Sequence, residues 1–368
     1  FSMSKAAELA NLIGNINAGG GGVNRNVIIN GAMNVSQRST SATGKGDADG
    51  YFTCDRWHID VGDTSAGRFT MSQDSSAPEG FANSLKIATT TADTSIAAGE
   101  KLVLQTKIEG QNAQTFAKGT SSAKPMALSF YVKGNASATY VAEIFDENDR
   151  QCSKTFNVTT DWTRIKLSFP ADTTGTLDDD NATSLFVNFH LHAGSNFTSG
   201  TLNSSSFASS TNANRAVGIS SIFDSTSRTF FLTGVQLEVG QNPTSFEHEP
   251  FERTFKKCQR YYQRVNADAA FDYGGIAIAV GTNSRWYAPF YLDGPMRTDV
   301  TLSFSAVANF RTTLQHSDSV EVTSLSIGYQ HDDRPMLSIS AGSNSAGALR
   351  LFGFNGASAG FIAFDAEL

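Results

Sequence analysis

Hydrophobic and polar positions alternate with a period of two along most of this chain, and that alternation predicts its elements. Leu128, Phe130 and Val132 share one face of ALSFYVKG; Ile165, Leu167 and Phe169 share one face of RIKLSF. In SLFVNFHLH the same holds for Leu185, Val187, Phe189 and Leu191. A further strand is predicted in FLTGVQLEV, with Phe231, Thr233, Val235, Leu237 and Val239 on one side and Leu232, Gly234, Gln236 and Glu238 on the other. The period lengthens in two places. Leu9, Leu12, Ile13 and Ile16, after a Ser4 N-cap, predict a short amphipathic helix ended by a Gly19–Gly22 hinge. Phe251, Phe255, Cys258, Tyr262 and Val265 predict a helix over 251–265. The stretch 193–217 is rich in Ser, Asn and Gly and reads as a long surface loop, a kind of segment that often carries function.

These signals predict an all-β chain. A helix and hinge occupy 1–22, for docking or oligomerisation. A jelly-roll β-sandwich follows over 23–250, a connecting helix over 251–266 and a second, sandwich-like β-domain over 267–368. Composition agrees: of 368 residues only 17% are charged, and 27 are Phe against 3 Trp, which suits sandwich cores. A net charge of −7 argues against a general nucleic-acid binder. No apolar run approaches the ~20 residues of a membrane span, and no charged stub precedes an apolar core as in a signal peptide. Cys54, Cys152 and Cys258 are odd in number and far apart, so they are expected reduced and buried. That fits folding in a cytoplasm.

Candidate chemistry gathers on the strands. Opposite the predicted core row of SLFVNFHLH lies Phe186, Asn188, His190 and His192, expected to be an exposed row of one ring with donors and acceptors. Tyr131 and Lys133, Arg164 and Lys166, and Tyr140 and Ala142 or their neighbours extend that outward set. An aromatic ring against a sugar's C–H face, rimmed by polar groups, is a chemistry by which β-sheets hold glycans. A His-x-His pair also suits a metal, with a third ligand from Asp178, Asp179 or Asp180, but nothing sits at a diagnostic spacing. Glu143, Asp146, Glu147 and Asp149 in EIFDENDR are expected to be a solvated hairpin turn; a structural Ca²⁺ or a catalytic carboxylate pair are the alternatives. No cofactor motif is present. On the connecting helix Arg253, Lys256, Lys257, Arg260 and Arg264 are read as structural, since positive charge toward a helix C-terminus suits its dipole.

The stretch TGVQLEVGQNPTSFEHEPFERTFKKCQRYYQR resembles the junction that closes a jelly-roll module in bacteriophage tail-fibre and virion structural proteins. NVIINGAMNVSQR and YFTCDRWHIDV resemble that family's opening through Asn30, Gly31, Gln37, Arg38, Asp55, Arg56 and Trp57, with Ala32-Met33 as a departure. LDGPMRTDVTLSFSA and FIAFDAEL resemble its C-terminal domain. The resemblance implies a non-enzymatic, homotrimeric virion protein of the tail that contacts other tail proteins and binds a host-surface glycan. On that reading Phe186, Asn188, His190, His192, Tyr131 and Arg164 are the ligand-binding residues. The alternatives are a polysaccharide-cleaving tail spike, whose usual stacked repeats are missing from this sequence, and a purely structural adaptor or decoration protein.

Overall fold

The computed structural model describes residues 4–17, 24–63, 65–267, 273–280, 284–313, 320–331, 333–342, 347–355 and 360–368. They form two compact units, 1–255 with Leu368, and 256–367.

The first unit is an antiparallel two-sheet sandwich, as the alternation predicts. One sheet has the order β1 (Ser41–Lys45), β4 (Arg68–Asp74), β5 (Ser84–Thr91), β13 (Thr229–Val239), β7 (Met126–Gly134), β10 (Thr163–Phe169). The other runs β12 (Ala208–Ser209), β9 (Arg150–Val158), β8 (Ala138–Asp146), β11 (Thr183–Ala193), β6 (Lys101–Glu109), β3 (His58–Gly62), β2 (Gly50–Tyr51). Leu185, Val187, Phe189 and Leu191 of β11 meet Leu128, Phe130 and Val132 of β7 between the sheets. Phe130 lies edge-to-face with both Phe156 and Phe189, at 5.0 and 4.9 Å, in the geometry aromatic quadrupoles favour.

Strict alternation fails in one strand. The register of β13 against β7 shifts between Thr233 and Gln236, and Gly234 sits there at φ 61°. The extra residue is a β-bulge, so the two halves of β13 are out of step. Phe230 and Leu232, then Val235, Leu237 and Val239, face the core, while Phe231, Thr233, Gln236 and Glu238 face outward. The sequence pattern had placed Phe231 and Thr233 with Val235.

The motif residues behind the family resemblance hold this unit closed. Asn30 donates to the carbonyls of Val35 and Asp55 and accepts from Val35 N–H; its own carbonyl accepts from Trp57 Nε1. Asp55 accepts from the Gln37 backbone and side-chain amides. Arg56 donates to the Lys107 carbonyl at 2.7 Å. At Gly31 a Cβ would collide with the Val235 carbonyl oxygen, and Val235 N–H donates to Gly31 O. Past β13, Gln236 accepts from Glu247 N–H, and Glu238 accepts from the Thr244 amide and hydroxyl. Met33, where the sequence departs from the family, is fully buried in the core.

The second unit contains a closed barrel, β15 (Tyr273–Ala279), β16 (Arg285–Pro289), β20 (Met336–Ala341), β19 (Val320–Tyr329), β18 (Phe310–Thr313) and β21 (Leu349–Phe354), instead of a sandwich-like pair of sheets. Beside it lies a sheet of β14 (Tyr262–Asn266), β22 (Phe361–Asp365) and β17 (Thr301–Phe304). Trp286, Phe310, Phe352 and Phe354 fill the core against the small Ala277, Ala279 and Ala288. The outer wall is apolar: Ile276 and Ile278 of β15 pair with Leu351 and Leu349 of β21, and all four are 38–54% exposed.

The connecting helix is shorter than its pattern predicted. It spans Phe251–Gln259, and Tyr262–Asn266 is strand β14, paired with β22. Tyr262 and Val265 are β-favouring side chains, and their pairing with the chain's end outweighs the helical spacing. The N-terminal helix spans Lys5–Asn17, with Leu9 and Ile13 exposed and Leu12 half-buried. The Ile16 side chain and the Gly19–Gly22 hinge lie outside the described residues.

Candidate functional site

On the outer face of the seven-stranded sheet, the row opposite the core residues of β11 has the predicted register but not the predicted exposure. Phe186 is half-buried, and Asn188, His190 and His192 are buried. The 193–222 segment lies over them instead of looping into solvent. It is anchored by β12 on β9, by Ser153 N–H donating to Asn203 O, and by Ile222 N–H donating to Leu191 O. Of its apolar side chains Phe197, Phe207, Ala216 and Ile222 are buried, and Leu202, Val217 and Ile219 are half-buried.

Beneath it lies a charge cluster. Glu143 of β8, fully buried, accepts from Arg215 Nε at 3.0 Å and Nη2 at 2.7 Å, and from Asn188 Nδ2 at 2.8 Å. His190 Nε2 is 3.1 Å from the same carboxylate. Burial by itself would raise the Glu143 pKa, but the charges and hydrogen bonds of His190 and Arg215 outweigh it and hold the carboxyl far below its ordinary range. His192 turns to different partners, Glu100 at 3.2 Å and the Ser221 hydroxyl at 2.7 Å, and burial lowers its pKa. The two imidazoles thus serve separate carboxylates. Among the described residues no three metal-ligating side chains converge.

The acidic turn divides. Glu147 and Asp149 are exposed around the β8–β9 hairpin, but Glu143 and Asp146 are fully buried, against expectation. Asp146 caps the turn by accepting from the Asn148 and Arg150 amides, and it pairs with the Lys118 ammonium. That ammonium also meets Asp172 at 2.9 Å and the Thr174 and Gly175 carbonyls at 3.0 and 3.2 Å. Lysine is therefore the cation at this oxygen cluster.

The outer face of the six-stranded sheet is more open. Tyr131 and Arg164 pair across β7 and β10, with the guanidinium 5.9 Å from the ring centroid. Arg164 donates to the Ser129 hydroxyl and to the Thr244 carbonyl. Phe81 packs on Tyr131 at 5.3 Å and on Phe246 at 5.0 Å. One step along, the bulge sends Phe231 outward between Lys86 and Lys133, each ammonium 5.1 Å from its ring. Half-exposed Trp162 lies edge-to-face with Phe231 at 6.1 Å, and Lys133 also sits over the Trp162 ring at 5.5 Å. Tyr140, one of the outward candidates, instead packs in the core against Phe230, and its neighbours Val141 and Glu143 face out.

No family model and no curated protein matches the sequence. Among solved structures the chain is similar to the enzymatically active domain of bacteriophage CBA120 tailspike protein 4, with 11% identity over 58% of this chain and 21% of that one, TM-score 0.29. It is also similar to the module TmCBM61 in complex with β-1,4-galactotriose (10% identity, 58% and 99% covered, TM-score 0.30). A third is the family 11 carbohydrate-binding module from Clostridium thermocellum (13%, 57% and 99%, TM-score 0.27). At these scores the likeness carries no argument about ligand.

Of the six sequence-predicted ligand residues, Tyr131 and Arg164 thus lie in one half-exposed aromatic and cationic cluster. Asn188 and His190 meet in a separate buried one, with His192 and Phe186 beside it. Trp162 and Phe231 were missed. Trp162 was within reach, since stepping the alternation of RIKLSF back by two from Arg164 puts it on the same face. Phe231 was not, because its face depends on the bulge.

Proposed function

We propose that the chain is a non-enzymatic, oligomeric virion protein of the tail-fibre type, which attaches to a host-surface glycan through the outer face of its six-stranded sheet. The observation that carries this reading is the half-exposed Trp162 ring, braced by Phe231 and Lys133 beside Tyr131 and Arg164. A braced indole offers a preordered apolar platform for a sugar face, and side chains fixed before binding lose little entropy on it. The motif resemblance at both ends of the sandwich supports the virion assignment. The binding face departs from the expected His190/His192 row because those side chains are committed to Glu143 and Glu100 under a folded segment.

Glu143 and Asp146 are each paired with a cation, an arrangement that supports a structural role for both carboxylates. Self-association, as a trimer, is supported by the exposed aliphatic ladder of Ile276, Ile278, Leu349 and Leu351, and by Leu9 and Ile13. Losing a stacking ring costs about 1 kcal/mol or more per site, and several copies on one particle multiply that loss. Trp162→Ala is therefore expected to lower adsorption to host cells and glycan-array signal at least tenfold, with the melting temperature nearly unchanged. A folded Trp162→Ala protein that binds as the parent does would refute the placement.

A further inference from the structure

The cations of this molecule are mostly matched. Lys101 pairs with Asp60, Lys118 with Asp146 and Asp172, Arg150 with Asp172, Arg215 with Glu143, and Arg228 with Asp224. Carboxylates outnumber cations, 35 to 28, so a cation has no shortage of partners. Along the β7–β10 edge of the six-stranded sheet the rule lapses. The Lys133 ammonium meets the Ser76 hydroxyl at 3.0 Å and two aromatic rings, but no carboxylate among the described residues. Among the described residues Arg164 meets a hydroxyl, a carbonyl and a ring, and no carboxylate. Lys166, exposed two residues further along β10, has no ion pair among the described residues; Glu8 of the N-terminal helix is the carboxylate within electrostatic reach. Partial burial, and then the charge of Arg164, lower the Lys166 pKa, as happens when positive charges are held together without enough counter-charge. Elsewhere on this face Lys86 pairs with Asp74 at 3.2 Å and Arg25 with the outward Glu238 at 3.5 Å.

Alternate residues of a strand lie about 7 Å apart on one face. Arg164 and Lys166 therefore form a row along edge strand β10, and Trp162, the residue just before the strand, sits at its N-terminal end with Lys133 beside it. A ring followed by regularly spaced unmatched cations suits a ligand that repeats a flat apolar face and a negative charge.

We propose that this row takes an acidic polysaccharide, a chain of carboxylated or sulfated sugars, with the sugar face on Trp162 and the anionic groups on Lys133, Arg164 and Lys166. The inference rests on the glycan-binding reading above and specifies its ligand class. A nucleic acid also repeats rings and anions, but the net charge of −7 opposes a long polyanion beyond the row itself.

The test is binding of the full chain to two matched pairs of polymers, polygalacturonate against its methyl ester and dextran sulfate against dextran, with oligothymidylate as a third polyanion. Binding of at least one charged member is expected to exceed its neutral twin at least tenfold and to weaken as salt rises, since exposed charges are screened over about 10 Å at 0.1 M salt. Lys133→Gln/Lys166→Gln, whose side chains reach solvent, is expected to fold normally and to lose about tenfold or more of that binding. Trp162→Ala is expected to lose it as well. Equal binding of the charged and neutral members, still dependent on Trp162 but not on the lysines, overturns the acidic-ligand inference and leaves the glycan reading standing. Tighter binding of oligothymidylate than of either acidic glycan overturns both, as does failure to bind any of the polymers.

Discussion

Replacing Arg215 by Met tests the charge cluster under the 193–222 segment. The side chain keeps its aliphatic length, but Glu143 loses two hydrogen bonds and the guanidinium charge while staying fully buried. Breaking a buried pair by removing one partner costs about 3–5 kcal/mol. Asn188 and His190 still contact the carboxylate here, so about 3 kcal/mol is expected, with a further ~0.5–1 kcal/mol from the lost contact of the guanidinium with the Phe145 ring. The pH dependence has a definite sign. The Glu143 pKa is depressed in the folded protein, so its contribution is present above the unfolded-state value of about 4.3 and is lost as pH falls from there toward the folded value. In the variant one of the two lowering charges is gone while His190 and burial stay, so the folded pKa of Glu143 moves up toward the unfolded value. Acidification then costs the parent more stability than the variant. The gap of ~3 kcal/mol at neutral pH should narrow below about pH 5. Urea unfolding followed peptide by peptide through hydrogen exchange would measure it on β8 and β11. A variant within about 0.5 kcal/mol of the parent, or a gap constant with pH, would refute the account.

Three further outcomes are expected. Ile278→Glu with Leu349→Glu places charge in the exposed ladder of the barrel and should convert an oligomer to a folded monomer in sedimentation velocity; an unchanged mass would remove that wall from the interface. Lys118→Met strands Asp146 and Asp172 without their ammonium and should cost about 3 kcal/mol or more in calorimetry. Gly234→Val puts a branched side chain at φ 61°, where a Cβ would come within 2.7 Å of Phe81, and should lower stability by at least ~1–2 kcal/mol while Gly80→Ala, with open space around it, costs less.

Alternation predicted the sandwich because one face of its long strands meets the core, so β7, β10 and β11 show their core residues as a plain period of two. It could not predict what lies on the other face. His190 and His192 read as solvent-facing because their strand is polar on that side, yet Arg215 and Ser221, which come later in the chain, fold back to meet that side. That return is a tertiary event with no local periodicity. Glu143 was misread for the same reason, since the groups that match its charge are distant in sequence. The bulge in β13 and the early end of the connecting helix are local, but each is set by a pairing partner, β7 in one case and β22 in the other. Asn30, Gln37, Asp55, Arg56 and Trp57, the most recognisable residues, turned out to latch the sandwich, so they signal architecture and say nothing of ligand.

Lys118 has a wider consequence. An oxygen-lined corner that joins Asp146, Asp172 and two loop carbonyls is held by a charge attached to the backbone. A tethered counter-ion cannot be diluted away, competed off by another ion or stripped by a chelator. The integrity of that corner therefore needs no dissolved divalent ion, and the unit can pass between media of very different divalent-ion content without loosening it.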